Sequence, residues 1–132
     1  MIDPHYGMTK SLGRVDFDQA LARVLAALKT EGFGVLTEID VKKTMKEKLD
    51  ADFRNYRILG ACNPPLAHKA LTTEAGIGLL LPCNVIVLEE EDGSVTVSIG
   101  KPREMFKIVS NAELEGLAGD VEFKLTRALA AV

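Results

Sequence analysis

The sequence predicts an α+β fold, a two-layer sandwich in which two long helices cover a mainly antiparallel four- or five-stranded sheet. Apolar residues recur at helical spacing after Asp16 and again after Ser110, which predicts the two long helices. The β-rich segment 83–101 is interrupted by Asp92-Gly93, a dipeptide preferred in two-residue hairpin turns, which predicts antiparallel strands. The chain of 132 residues is within the usual size of one domain, so we expect a single domain over residues 1–132.

The first part of the chain predicts one strand followed by the first long helix. Alternating apolar and small or polar residues indicate a strand within residues 5–14. Asp16 is a good helix cap, and Gln19 completes a capping box. Gly32 ends this helix. Its apolar stripe consists of Phe17, Ala20, Leu21, Val24, Leu25 and Leu28.

The middle of the chain predicts two further strands, each followed by a helix. The second strand covers residues 33–39, and Asp40 caps a short helix after it. The third strand covers residues 53–61 and leads into a junction rich in glycine and proline. Asn63 there is a good helix cap and Pro64 a good first helical residue, so the next helix is expected to start at this point.

The turn at Asp92-Gly93 predicts the register of the last two strands. A two-residue turn pairs Leu88 with Val97 and Ile86 with Ile99. This register assigns one set of residues to the core face: Ile86, Leu88, Val95, Val97 and Ile99. Cys83, Val85 and Val87 are then expected on the opposite face, covered by a second layer, a ligand or another subunit.

The C-terminal third predicts a short helix and then the second long helix. Pro102 begins the short helix, which runs through Phe106. Ser110 and Glu113 form a predicted capping box for the long one. Its apolar stripe consists of Leu114, Leu117, Val121, Leu125, Ala128 and Leu129. The pattern leaves the order of the strands open.

Composition excludes several functional classes. Apolar residues make up 47% and charged residues 27% of the chain, values typical of ordinary globular proteins. The net charge of −3 argues against broad nucleic-acid binding. Apolar runs are too short to cross a bilayer and no secretion signal is visible, so we expect a cytoplasmic protein without a membrane partner. In that compartment, two cysteines 21 positions apart are expected to be free thiols.

The candidate site lies at the two junctions that contain these cysteines. The residues proposed to bind a ligand are Cys62, Asn63, His68, Cys83 and Asn84. Thiolate and imidazole groups are ligands that zinc, iron and copper select, which makes Cys62, His68 and Cys83 a candidate metal or haem set. Their spacing lacks the close ligand pair of structural zinc sites. Packing of two cysteines as small hydrophobes is the competing interpretation.

Two other chemistries use the same junction. Cys62 lies immediately before a predicted helix N-terminus, where the helix dipole favours a thiolate, so it is a candidate reactive thiol. A reversible disulfide with Cys83 is a weaker hypothesis that requires the two residues to lie close together. An anion site at the helix N-terminus is disfavoured, because Pro64 and Pro65 have no N–H to donate.

Two stretches resemble a known prokaryotic family. Gly60-Ala61-Cys62-Asn63-Pro64 and Gly78-Leu79-Leu80-Leu81-Pro82-Cys83-Asn84-Val85 are similar to the corresponding segments of domain-of-unknown-function family 302. The resemblance extends, in the order of strands and helices, over nearly the whole chain. It implies a compact α+β domain similar to family members that form homodimers, and it implies no agreed activity.

The leading hypothesis for function is a small intracellular domain that binds a small ligand or a metal at a cleft lined by the candidate residues. One alternative is a thiol-dependent redox or transfer enzyme using Cys62, and another is a structural or interaction domain without site chemistry. The sequence leaves open whether the protein is an enzyme. It also leaves the cofactor open between zinc, iron, a haem group and none.

Overall fold

A computed structural model describes all 132 residues of the chain. The elements alternate between strands and helices until the final hairpin and the two C-terminal helices. Their bounds are β1 (Gly7–Ser11), α1 (Phe17–Thr30), β2 (Gly34–Asp40), α2 (Val41–Leu49), β3 (Tyr56–Cys62), α3 (Pro64–Thr73), β4 (Cys83–Glu89), β5 (Val95–Gly100), α4 (Pro102–Phe106) and α5 (Ala112–Ala131). Two 3₁₀ segments, Ala75–Leu80 and Lys107–Val109, complete the connections.

The five strands form one sheet in the order β1-β5-β4-β3-β2, and every neighbouring pair is antiparallel. Helices α1 and α5 pack against each other, α1 also contacts β4 and β5, and α5 contacts β1. The predicted α+β sandwich, a mainly antiparallel four- or five-stranded sheet with two long helices, is therefore confirmed, and the sheet has five strands. None of the helices combines the length and the apolar composition that crossing a membrane requires.

Side-chain caps define where the helices begin. The Asp16 carboxylate accepts a hydrogen bond from the Gln19 N–H at 3.0 Å, as the sequence predicts for α1. At α5 the predicted cap is wrong, because Asn111 accepts from the Glu113 N–H at 3.0 Å. Ser110 instead adopts a left-handed conformation, with φ of 55°, at the end of the preceding 3₁₀ turn. Asn111 has the extended backbone that a helix cap requires.

The hairpin between β4 and β5 has a three-residue loop, which corrects the predicted register. The Glu90 N–H donates to the Ser94 carbonyl at 2.7 Å, and the Gly93 N–H donates to the Glu90 carbonyl at 3.0 Å. Gly93 has a φ of +85°, the left-handed residue that such a loop needs after its turn. Val87 consequently pairs with Val97, one residue away from the predicted partner.

This shift of one residue exchanges the two faces of β4. Cys83, Val85 and Val87 face the helices together with the alternate residues of β5, whereas Ile86 and Leu88 lie on the opposite face. The prediction that Cys83 lies away from the main core is wrong, since Cys83 packs against that core.

Buried apolar residues form two clusters. The main core contains sixteen buried residues between the sheet and the helices α1 and α5. The smaller cluster lies where α3, the first 3₁₀ segment, α4 and the N-terminal half of α5 meet. Its members are Ala70, Ile77, Phe106, Leu114 and Ala118. Helix α5 contributes to both clusters, so it connects the sheet core to the region around α3.

The sheet face opposite α1 and α5 is partly covered by the N-terminal segment, residues 1–6. The Ile2 N–H donates to the Glu90 carboxylate at 3.1 Å, which fastens this segment near the hairpin. The strand registers place an uncharged row across all five strands of this face. The row consists of Ile39, Ile58, Ile86, Ser98 and Thr9. We call these five residues the isoleucine row.

Candidate functional site: an apolar cavity beside two cysteines

A cavity of about 300 Å³ lies at the edge of the sheet where β3 ends and β4 begins. The remaining walls come from the helices α3, α4 and α5, from the first 3₁₀ segment, and from Phe33 and Leu36 near the start of β2. Thirteen of its sixteen lining residues are hydrophobic, and none is charged. The lining residues are Phe33, Leu36, Ala61, Cys62, Asn63, Leu66, Ala67, Ala70, Leu71, Gly78, Leu81, Pro82, Cys83, Phe106, Leu117 and Val121.

Both cysteines line this cavity as free thiols. Ala61 is the cross-strand partner of Cys83, so Cys62 comes one residue after that pair. Each cysteine is partly buried. Burial, with a smaller contribution from the neighbouring Cys62, raises the pKa of the Cys83 thiol to about 11. Cys83 is therefore protonated at neutral pH and is a poor nucleophile there.

Asn63 begins α3 and fastens it to the end of α1. Its Oδ1 accepts a hydrogen bond from the Leu66 N–H at 3.4 Å, and its Nδ2 donates to the Glu31 carbonyl at 3.3 Å. Gly32 leaves room for this contact, since a Cβ at that position would lie 3.0 Å from the Asn63 Nδ2. Both polar ends of the Asn63 side chain are thus engaged in structural contacts.

Helix α3 divides its residues between two concavities. Leu66, Ala67, Ala70 and Leu71 line the cavity, whereas the alternate pairs of residues line a polar groove on the other side of the helix. His68 is exposed in that groove. In a helix, positions i, i+1, i+4 and i+5 share one face and i+2 lies outside it, which explains the separation of His68 from the cysteines.

The predicted metal set of Cys62, His68 and Cys83 is consequently not assembled. No three or more His, Cys, Asp or Glu side chains lie close enough together to hold a metal ion. The two thiols alone do not make the four-ligand or three-ligand set typical of zinc, so these residues do not fit the zinc site that the sequence suggested. A haem iron would likewise have no histidine here.

Asn84 is also separate from the cysteine cavity. It is exposed on the opposite face of the sheet, where it lines a depression together with Tyr6, Tyr56 and Ile86. Alternation along β4 explains this placement, because adjacent residues of a strand point to opposite faces. Of the five predicted ligand-binding residues, the structure brings Cys62, Asn63 and Cys83 together and leaves out His68 and Asn84.

The residues at the cavity entrance were not among the predicted site residues. Leu36 and Leu71 line the cavity and are also exposed to solvent. Gly60 has a further role, since a Cβ there would lie 2.6 Å from the Pro82 Cγ and closer still to the Thr37 Oγ1. Glycine therefore lets Pro82 pack over β3. The exposure of the two leucines had no sequence signal, whereas Gly60 inside a strand was a signal of close approach.

The chain is similar to proteins of a known family. The model of the family described as "Domain of unknown function DUF302" matches residues 8–132. The chain belongs to the DUF302 family. A crystal structure of an uncharacterized conserved DUF302 protein from Bacillus stearothermophilus is 29% identical, with a TM-score of 0.88, and the alignment covers 97% of this chain and 98% of that chain. No match was found among curated proteins.

Membership in DUF302 confirms the resemblance of the two cysteine-containing stretches and the fold that it implied. The family description names no activity. Any functional assignment for this DUF302 chain therefore depends on its own cavity and surfaces.

Proposed function

We propose that this DUF302 protein is a small-ligand-binding domain whose site is the cavity at Cys62 and Cys83. The apolar cavity itself is the observation that carries the proposal. Its volume of about 300 Å³ is at the lower end of the range for ligand pockets, and its lining is mainly hydrophobic, as such pockets usually are. Protein interiors are otherwise close-packed, so a space of this size is unusual as a packing defect.

A fluorescence titration with a neutral apolar dye, N-phenyl-1-naphthylamine, tests this proposal. We expect saturable binding by the wild type and strong loss of binding in Ala67→Leu, because Ala67 lines the cavity and a larger side chain fills it. Ala26→Leu is the matched control, since Ala26 is exposed on α1. Equal binding by both variants would contradict the assignment of the site.

A thiol-dependent redox or transfer activity at Cys62 is a second candidate. It is favoured because Cys62 lines the cavity beside the start of α3, while Cys83 stays protonated. Alkylation with iodoacetamide, which forms an S–C bond and releases iodide, measures the availability of this thiol. We expect labelling at pH 7 in wild type and Cys83→Ser and none in Cys62→Ser. A native wild type that resists labelling, while the unfolded chain reacts, would rule out this activity.

We propose that the protein acts in the cytoplasm. Two free thiols fit that reducing compartment.

We also propose that the chain forms a homodimer through the isoleucine row. A two-fold interface sets one patch against its own copy, so an uncharged patch avoids self-repulsion. Ile39, at the β2 end of the row, is about half exposed. Tyr6, which lines a depression together with Ile86 and Ser98 of the row, is exposed as well. The two long helices α1 and α5 pack on the other face of the sheet. The N-terminal segment covers this face only in part, so part of the row is left for a second copy of the chain.

Light scattering after gel filtration tests the dimer. We expect a dimer for the wild type, a monomer for Ile39→Asp and a dimer for Phe123→Asp, whose side chain is exposed on α5. A monomeric wild type at micromolar concentration would contradict the proposal. A dimeric Ile39→Asp variant would place the interface elsewhere.

A further inference from the structure

We infer that the ligand of the cavity is the aliphatic chain of a free amphiphile, whose tail enters the cavity while its polar head stays in solvent. This inference rests on the proposed ligand-binding function and specifies its chemical class. Three features of the cavity support it: the absence of charge inside, the absence of free hydrogen-bonding groups, and an entrance made of exposed leucines.

The interior offers nothing that could hold a charged or strongly polar group. None of the lining residues is charged. Asn63 is the one amide among them, and both ends of its side chain already make hydrogen bonds within the protein. The two thiols are weak hydrogen-bonding groups. A polar group moved into this space would lose its water without finding a partner, which disfavours binding strongly.

The apolar surface continues from the cavity to the outside of the protein. Leu36 is 69% exposed and Leu71 is 44% exposed, although both line the cavity. We call Leu36 and Leu71 the entrance leucines. Exposed apolar surface next to a pocket is typical of a site whose ligand also covers that surface. A compact ligand inside the cavity would leave the rim uncovered.

An extended chain fits these features better than a ring system. A compact ring that occupies the cavity would leave the entrance leucines in contact with water. An aliphatic chain can fill the interior and still continue along the rim, so that it covers apolar surface in both places. Its head group then lies beyond the rim, where it keeps its hydration. The sign of the charge on the head group should therefore have little effect on affinity.

The inference can be tested by measuring the affinity of a series of 1-alkanols, from butanol to decanol, by competition with the naphthylamine dye. Burial of one methylene group is worth about 0.8 kcal/mol, which corresponds to about a fourfold gain in affinity for each added carbon. We expect this gain until the cavity and its rim are filled, followed by a plateau. Decyl sulfate and decyltrimethylammonium, used below their micelle concentrations, are expected to bind within a few-fold of each other.

Two variants separate the interior from the rim. Ala67→Leu is expected to bring the plateau to shorter chains, because it shortens the cavity. Since this variant should bind the dye weakly, its alkanol affinities are measured directly by isothermal titration calorimetry. Leu36→Asp is expected to weaken binding of the longest chains several-fold and to leave the shortest ones unchanged, since Leu36 lines the cavity and is 69% exposed. Leu49→Asp is the control, since Leu49 is 70% exposed on α2 and does not line the cavity.

The outcomes distinguish this inference from the proposed function beneath it. If the dye binds in the cavity but affinity does not increase with chain length, the ligand class is wrong and the binding function stands. If neither the dye nor any alkanol binds, both are wrong. Binding of chains only when they are presented in phosphatidylcholine vesicles would overturn the assignment to a free amphiphile.

Discussion

The main core and the smaller hydrophobic cluster differ in how completely they fill the space between their elements. The main core joins sixteen buried residues from the sheet, α1 and α5. The smaller cluster joins five, and the cavity of about 300 Å³ lies beside it. Helix α5 takes part in both: its residue Leu114 belongs to the smaller cluster, and Leu125 belongs to the main core.

The difference follows from the elements that form each region. Long helices and a five-stranded sheet offer large complementary surfaces, which interdigitate with few gaps. Helix α3 has ten residues, and of these only Ala70 is buried. Its inner face alternates large and small residues, and the cavity lies beside the small ones, Ala67 and Ala70. Stability therefore resides mainly in one region of this protein, and the proposed site lies beside the other.

The largest expected effect comes from truncation in the main core. Leu125→Ala should reduce the free energy of unfolding by about 2 to 5 kcal/mol, because Leu125 is fully buried and its removal leaves a void. Leu71→Ala at the cavity entrance should cost less than about 1 kcal/mol, since Leu71 is partly exposed. Urea unfolding followed by circular dichroism measures both. Similar losses in the two variants would mean that the regions are equally important for stability.

The next largest effect concerns alkaline pH. The raised pKa of the Cys83 thiol means that the folded state keeps this proton while the unfolded chain releases it. The contribution of Cys83 to stability is thus fully present below about pH 9 and decreases as the pH rises toward 11. The decrease should reach at most about 2 to 3 kcal/mol.

Because lysines and tyrosines also titrate in this range, the wild type is compared with Cys83→Ala. We expect urea unfolding to show a steeper fall in stability between pH 8 and pH 10.5 for the wild type than for the variant. Parallel pH profiles would mean that Cys83 has similar surroundings in the folded and unfolded states.

A smaller effect is expected from the cap that holds the wall of the cavity. Asn63→Ala should cost about 1 to 2 kcal/mol, because it removes both the cap of α3 and the contact with the Glu31 carbonyl. Asn111→Ala, at the cap of α5, should cost about 1 kcal/mol. Amide hydrogen exchange distinguishes them further: faster exchange confined to α3 is expected for Asn63→Ala, and uniform acceleration would show that α3 does not open separately.

The smallest expected effect is a gain in stability. Gly116 is exposed in α5 near the groove that contains His68, and a Cβ there would meet no atom within 4 Å. Gly116→Ala should therefore stabilise the fold by about 0.5 to 1 kcal/mol through helix propensity. Thermal unfolding measures this gain. A lower melting temperature would indicate that this stretch of α5 relies on the flexibility of glycine.

Local patterns in the sequence were sufficient for most helices. The apolar stripe of α1, its cap at Asp16 and the start of α3 at Asn63 are all as predicted, because each depends on residues within one or two turns. The hairpin was more demanding. The dipeptide Asp92-Gly93 correctly marked the turn. Two-residue and three-residue hairpin loops both accept a glycine at its second position, so the dipeptide does not determine the loop length. A change of one residue in loop length reverses the faces of β4.

The candidate site was predicted only in part, for a similar reason. Cys62 and Cys83 meet because β3 and β4 are neighbours in the sheet, and the predicted junctions placed each of them at a strand end. His68 was added from its closeness in sequence, but the rotation of α3 points it away from the cavity. The entrance leucines lie on β2 and α3, and no pattern within a single element brings them together.

The sequence by itself determined the α+β class, the two long helices, the DUF302 resemblance and the position of two cysteines at strand ends. These features depend on local periodicity, caps and short motifs. Only the tertiary structure decided the strand order, the face on which Cys83 lies and the presence of an apolar cavity beside it. A cavity is the space that several elements fail to fill, so it depends on how α3, α5 and the sheet pack against one another.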